Sequence, residues 1–226
     1  MPRWINYLAI FAVALAAGWY LTGPQNTGQT SADRAEQLLG AAYAQDAELD
    51  TSSIKEMSIG NPDAPVTVVE YASYTCPHCA SFHEGNFKRL KADYIDTGKI
   101  NFVYREVYFD RYGLWASAIA RCAGPEKFFG ISDLLYKGQS TWSRAGDAGA
   151  IVAELRKIGL LAGLDPDTME ACLQDGEKLQ TLVAWFQENA EADGISSTPS
   201  FVINGTTYRN MAYDEMAQII DDAAGS

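Results

Sequence analysis

The sequence is short of basic residues, histidines and cysteines. Its 226 residues include 17 Lys and Arg against 29 Asp and Glu, for a formal net charge of −12, together with 2 His and 4 Cys. A nucleic-acid surface needs clustered Lys and Arg, so this shortage argues against one. Because 47% of the residues are hydrophobic, the chain is able to bury one full core. We therefore expect an acidic globular domain and no nucleic-acid partner.

The N-terminus lacks acidic residues and consists mainly of an apolar run. Arg3 precedes this run, which covers residues 4–21 and is broken only by Asn6 and Gly18. As a helix the run would be about 27 Å long, close to the roughly 30 Å of bilayer hydrocarbon and longer than the apolar region of most cleaved signals. We expect residues 1–25 to be a signal peptide or a membrane anchor. The protein is then periplasmic, secreted or tethered to the inner membrane.

The next segment, residues 26–58, shows no strand pattern and is rich in Gly, Gln, Asp, Ser and Ala. This composition is typical of a linker, and one short helix is expected near residues 34–43. The folded domain is then expected to span residues 59–224.

The four cysteines have two different spacings. Cys76 and Cys79 lie two residues apart, whereas Cys122 and Cys172 are isolated. Disulfides persist in exported proteins, and the close pair is favoured to bond to itself, which leaves Cys122 with Cys172 as a structural disulfide. Four cysteines allow three pairings, however, and two reduced thiols at the distant positions remain an alternative. Zinc at the close pair would need further ligands, for which His83 is the local candidate.

The close pair lies at a predicted strand-to-helix junction. Residues 64–74 form a β-branched and apolar run of strand length, and residues 82–95 carry apolar side chains close to helical spacing. Pro77 suits the first turn of a helix, which puts Cys76 at the helix N-terminus, where unpaired N–H groups and the dipole favour an anion. His78, between the cysteines, is expected to lower the thiol pKa further.

The order of predicted elements continues with a second strand at residues 99–109 and a helical block at residues 111–193. A strand pair then follows, with Asn204 and Gly205 as a two-residue hairpin turn. A last helix is expected near residues 214–223.

Together the Cys-Pro-His-Cys motif at residues 76–79, the helical block and the pair Thr198 and Pro199 resemble the DsbA family of thioredoxin-fold disulfide oxidoreductases. The resemblance covers about residues 59–224. It implies an α/β thioredoxin fold with an inserted helical domain at about residues 111–193. It also implies that Pro199 is cis and lies beside the cysteine pair, with Thr198 where a substrate backbone docks.

Glu70 is a further candidate because its strand face is otherwise apolar and it precedes Cys76 by six residues. The resemblance implies a buried acid at this spacing, which carries protons for Cys79. Where a lysine partner for that acid would be expected, the second strand offers Arg105 and Glu106, so the partner of Glu70 is left open.

The function that the resemblance implies is the introduction of disulfides into unfolded exported proteins. Cys76 is then the attacked sulfur, and a quinone-linked membrane partner reoxidises the cysteine pair. We expect no bound cofactor and no metal. Two alternatives stay open. One is a disulfide isomerase or reductase, since the threonine before the cis-proline is shared with isomerase relatives. The other is a metal-binding thiol module.

Overall fold

The structure, a computed structural model, describes residues 49–225. The predicted signal peptide or anchor and the short helix near residues 34–43 lie outside the described residues. Within residues 49–225, no helix is both long and apolar enough to cross a membrane.

The centre of the fold is a mixed five-stranded sheet in the order β1-β3-β2-β4-β5. Its strands are β1 (Met57–Gly60), β2 (Val66–Ala72), β3 (Ile100–Glu106), β4 (Ser200–Ile203) and β5 (Thr206–Arg209). The two central strands, β2 and β3, are parallel, and every other neighbouring pair is antiparallel. Parallel neighbours need a crossover, which the helices after β2 supply.

Three groups of helices surround the sheet. The crossover consists of α1 (Pro77–Glu84), α2 (Asn86–Leu90) and a π-helical turn (Lys91–Ile95). The block between β3 and β4 consists of α3 (Arg111–Cys122), α4 (Pro125–Lys137), α5 (Gln139–Trp142), α6 (Ala148–Leu161), α7 (Pro166–Gln174) and α8 (Gly176–Ala192). The last helix is α9 (Tyr213–Ala224), which packs against α2, β2 and β4.

The first ordered elements begin inside the segment that was predicted as linker. A 3-10 turn covers Thr51–Ser53, and β1 begins at Met57. Met57 is buried, and its strand pairs with β3 so that Met57 lies opposite Tyr104. The linker prediction therefore runs too far at this end. Such a short strand is stabilised by its partner in the sheet, which the local pattern does not reveal.

Two local features follow directly from residue type. Asn204 and Gly205 both have positive φ, at 44° and 84°, as a two-residue turn between β4 and β5 requires. The helix after the cysteine motif is interrupted at Gly85, so the single helix expected over residues 82–95 is three shorter segments.

A buried ion pair joins the helical block to the sheet. Glu106, at the end of β3, receives hydrogen bonds of 2.6 Å from Nε and from Nη2 of Arg121 on α3. The hydroxyl of Ser117 donates a third bond, of 2.8 Å. Because a guanidinium presents two parallel donors, this geometry fixes the angle between α3 and the sheet.

Candidate active site

Cys76 is the N-cap residue of α1. Its backbone is extended (φ −82°, ψ 118°), and Pro77 occupies the first turn. Proline is accepted there because the N–H that it lacks would have no partner within the helix. The free N–H groups and the dipole of α1 therefore favour negative charge on the Cys76 sulfur.

The two thiols of the motif are free, and they differ in environment. Cys76 is 9% exposed and Cys79 is 0% exposed. The pKa of Cys76 is lowered to about 5, chiefly by a hydrogen bond from the Cys79 thiol and against the effect of burial. Burial raises the pKa of Cys79 well above its ordinary range, and the charge on Glu70 adds to this effect. At neutral pH, Cys76 is therefore a thiolate and Cys79 keeps its proton.

His78 contributes to the thiolate through its backbone. Hydrogen bonds from the backbone N–H groups of Cys79 and His78 both lower the pKa of Cys76. The imidazole of His78 and the ring of Pro77 are exposed at the surface. The expectation that the ring of His78 itself lowers the pKa of Cys76 stays a prediction.

The peptide bond between Thr198 and Pro199 is cis and immediately precedes β4. The carbonyl oxygen of Thr198 lies 3.6 Å from Sγ of Cys76, and Thr198 also helps to lower the pKa of that thiol. A cis X-Pro bond is a minority state that the surrounding fold must hold in place. The loop before β4 thus lies directly against the reactive sulfur.

Glu70 is fully buried beneath the motif, and its partner is a histidine. Nε2 of His83, which is 4% exposed, lies 2.8 Å and 3.1 Å from the two carboxylate oxygens.

The two charged residues of β3 form ion pairs with residues other than Glu70. Arg105 pairs with Glu56 and Asp193. Glu106, as described above, is held by α3. The open question of which residue pairs with Glu70 is therefore answered by a residue of α1 itself.

Hydrogen bonds to two polar side chains, Gln139 and Asp110, hold the loop before α1. The buried side chain of Gln139 donates from Nε2 to the carbonyl oxygens of Tyr74, at 2.8 Å, and Cys76, at 2.9 Å. The hydroxyl of Thr75 donates to Asp110 at 2.8 Å, and Asp110 in turn caps α3. Both partners come from the helical block, so the block supports the position of Cys76.

The second pair of cysteines is bonded. A disulfide joins Cys122 on α3 to Cys172 on α7, with their Cα atoms 5.9 Å apart. In the part of the chain that the structure describes, no group of three or more His, Cys, Asp or Glu side chains is placed to hold a metal ion. His83, the candidate third ligand for a metal at the close pair, points instead at Glu70.

Residues 52–222 match the family model described as thioredoxin. The chain belongs to the thioredoxin family. A putative protein-disulfide oxidoreductase of Rickettsia bellii is 37% identical over 169 residues, which are 74% of this chain and 64% of that protein. Disulfide bond formation protein D of Bacillus subtilis is 30% identical over 172 residues, 72% of this chain and 74% of that protein. The crystal structure of Wolbachia pipientis alpha-DsbA1 superposes with a TM-score of 0.69 at 26% identity, covering 76% of this chain and 92% of that one.

These relatives identify the chain as a DsbA-like member of the thioredoxin family, as its motifs predict. The expected fold class, a thioredoxin fold with an inserted helical block, is confirmed by the same comparisons. The chain spans about three fifths of the length of the Rickettsia relatives, since it covers 64% and 62% of the first two.

Sequence reasoning missed two residues of this DsbA-like site. His83 is predicted only as a metal ligand, although it follows Cys79 by one helical turn and so shares its inward face. Gln139 carries no local signal, because it lies 63 residues from Cys76 in the chain. Helical periodicity could have indicated His83, whereas Gln139 could be found only from the tertiary structure.

Proposed function

We propose that this protein is a thiol:disulfide oxidoreductase that transfers the disulfide between Cys76 and Cys79 to substrate proteins. The observation that carries the proposal is the asymmetry of the two thiols. Cys76 is the less buried member, with a pKa lowered to about 5, and Cys79 is fully buried with a raised pKa. A stabilised thiolate makes the reduced form favourable, and the disulfide form is consequently a strong oxidant.

The reaction starts from the form in which the Cys76 and Cys79 sulfurs are bonded. A substrate thiolate attacks Sγ of Cys76, the bond to Cys79 breaks, and its electron pair goes to Sγ of Cys79, which takes up a proton. A second substrate thiolate then attacks the substrate sulfur of this mixed disulfide and expels Cys76 as a thiolate. Two electrons pass from substrate to protein, and the substrate gains one disulfide. The low pKa of Cys76 makes it the better leaving group in the second step.

Other residues of the site have supporting roles in this scheme. The backbone of Thr198, held beside Cys76 by the cis bond to Pro199, is the docking point for the substrate backbone. Glu70 supplies and withdraws the proton of Cys79. His78 lies at the surface, within reach of an incoming substrate.

The proposed substrates are unfolded exported proteins, and the proposed location is the periplasm, with residues 1–25 as signal peptide or membrane anchor. The disulfide between Cys122 and Cys172 supports an oxidising compartment, since such bonds are rare where thiols are kept reduced. A quinone-linked membrane protein is the proposed partner that reoxidises Cys76 and Cys79. The names of the relatives, which concern disulfide formation, support the same role.

A single-turnover experiment tests this proposal. The oxidised full chain is mixed with a reduced, unfolded protein that contains two cysteines, and the disulfides of both are followed by alkylation and mass spectrometry. We expect one substrate disulfide for each Cys76–Cys79 disulfide lost. No transfer would contradict an oxidase. In a parallel assay, the isomerase alternative would be favoured if the reduced chain rearranged the disulfides of a mispaired substrate without net oxidation.

A further inference from the structure

Glu70 and His83 form an enclosed pair beneath the cysteine motif. Glu70 is on β2 and His83 on α1, at 0% and 4% exposure. One ring nitrogen reaches both carboxylate oxygens, at 2.8 Å and 3.1 Å. An ionised carboxylate only accepts hydrogen bonds, so Nε2 of His83 carries the hydrogen when Glu70 is charged. The two side chains therefore hold at least one proton between them.

Aromatic rings close this pair off from solvent. Tyr136 stacks on the imidazole with ring centroids 4.2 Å apart and an interplanar angle of 16°, and Phe87 lies 4.6 Å away on another side. Phe82 and Tyr104 contact the imidazole by their edges. With such walls, a proton that leaves the pair has few places to go other than a neighbouring protein group.

The titratable groups that face the pair are Cys79 on α1, Tyr104 on β3 and Tyr136 on α4. Burial raises the pKa of all three, and the charge of Glu70 adds to each shift. On β4 the residue opposite Glu70 is Phe201, which has no charge. Both tyrosines therefore stay protonated near neutral pH. Cys79 differs from them because its sulfur must lose and regain a proton whenever its disulfide forms and breaks.

We infer that His83 is a positioning residue for Glu70 and that the two together store the proton that Cys79 takes up and gives back in each redox cycle. When the disulfide breaks, Cys79 leaves with an electron pair and receives the proton stored on the pair. A neutral imidazole is then left donating Nε2–H to the Glu70 carboxylate. When the disulfide reforms, Cys79 returns the proton to the pair. A permanently charged partner such as arginine would position the acid without sharing the proton in this way.

This inference rests on the proposed function, and the test separates the two. The reduced full chain is mixed with oxidised glutathione, so that the Cys76 thiolate forms a mixed disulfide with glutathione and releases one glutathione thiolate. Cys79 must then lose its proton to attack this bond and expel the second glutathione. The rate of that second release is measured against pH.

His83→Gln is the informative variant, because its amide can donate to Glu70 but cannot take up a proton. We expect the second release to slow by about 100-fold near neutral pH, the lower end of the range of general acid–base effects. The difference should narrow as pH rises and hydroxide removes the proton of Cys79. The thiolate titration of Cys76 should stay unchanged. Phe87→Leu is the matched control, since it alters packing on the same imidazole without removing a proton carrier, and it should keep the wild-type rate and pH profile.

Each outcome has a separate meaning. A His83→Gln profile that matches wild type and Phe87→Leu would overturn the inference and leave His83 a packing residue. A wild-type protein that never releases the second glutathione would overturn the proposed function itself, and this inference with it.

A second measurement needs no substitution and so does not depend on the folding of a variant. Nuclear magnetic resonance of the wild type compares the imidazole nitrogens of His83 and the carboxyl carbon of Glu70 in the disulfide and dithiol forms. We expect the pair to hold one proton fewer in the dithiol form, with a shift in at least one of these signals. Unchanged signals from both side chains would contradict the inference.

Discussion

Both cysteine pairs can form a disulfide, but their cysteines lie at different ends of their helices. Cys76 precedes the first turn of α1, whereas Cys122 is the last residue of α3. A helix dipole favours a thiolate at its N-terminus and disfavours one at its C-terminus. The bonded cysteines, Cys122 and Cys172, are both half-buried and are more exposed than Cys76 and Cys79. Stabilisation of the thiolate, rather than exposure to solvent, therefore distinguishes the reactive pair from the structural one.

The largest expected effect is a difference in activity between variants of the two cysteine pairs. Cys76→Ser removes the attacked sulfur and should lower the rate of substrate oxidation to the background rate. Cys122→Ala combined with Cys172→Ala should keep the rate within a few-fold of wild type, because neither sulfur contacts the motif. Stopped-flow oxidation of a reduced substrate measures both. Comparable losses in the two variants would remove the distinction.

Stability should show the reverse pattern. Removing the disulfide between Cys122 and Cys172, whose sequence separation is 50, should lower the free energy of unfolding by about 4 kcal/mol in the loop-closure model. Urea denaturation of the doubly substituted protein measures the loss, with the motif kept oxidised in both samples. An unchanged denaturation midpoint would mean that this bond contributes little to the fold.

The third prediction concerns how the stability of the protein with a reduced motif depends on pH. The pKa of Cys76 is lowered from 9.0 to about 5 in the folded protein, so its thiolate stabilises the dithiol form at high pH. This contribution is complete above the unfolded pKa and is lost as pH falls through the folded pKa. Cys79 adds nothing in this window, because its folded pKa is raised.

We therefore expect the stability of the dithiol form, relative to the disulfide form, to rise between about pH 5 and pH 9. Denaturant titrations of both forms across this range measure the difference. In the disulfide form Cys76 has no thiol to titrate, so it serves as the control. A difference that is flat with pH would show that Cys76 is not a stabilised thiolate.

The smallest expected effect concerns the support of the motif by the helical block. Gln139→Leu leaves the carbonyl oxygens of Tyr74 and Cys76 without their side-chain donor and should cost about 1 to 3 kcal/mol of stability. Ser143→Ala is a matched control. It removes the hydrogen bond that the half-buried Ser143 hydroxyl donates to the backbone carbonyl oxygen of Gln139, one helical turn away. Alkylation of Cys76 should also lose selectivity in Gln139→Leu and not in the control. Equal effects of the two substitutions would mean that Gln139 has no specific role at the motif.

The parts of this site that depend on neighbours in the chain were predictable. Pro77 after Cys76 predicts a helix start, and Asn204 with Gly205 predicts the hairpin, because each is a property of a few consecutive residues. The placement of Glu70 on an inward strand face follows equally from alternation.

The parts that depend on distant packing were not predictable in the same way. The pairing of Glu70 with His83 depends on how α1 crosses the sheet, and β1 depends on pairing with β3. Gln139 reaches the motif only because the helical block folds back over it. The charged residues on β3 are not partners of Glu70, because their side chains form ion pairs with other residues.

The most direct test of the central claim is a measurement of both reduction potentials in one experiment. The full chain is equilibrated with glutathione buffers, and the redox state of each cysteine pair is read by alkylation and mass spectrometry. We expect Cys76 and Cys79 to have a potential above about −180 mV. We expect Cys122 and Cys172 to have a potential below about −300 mV, so that they stay bonded in these buffers. A potential near or below about −270 mV for Cys76 and Cys79 would make the pair a reductant and would contradict the proposed role.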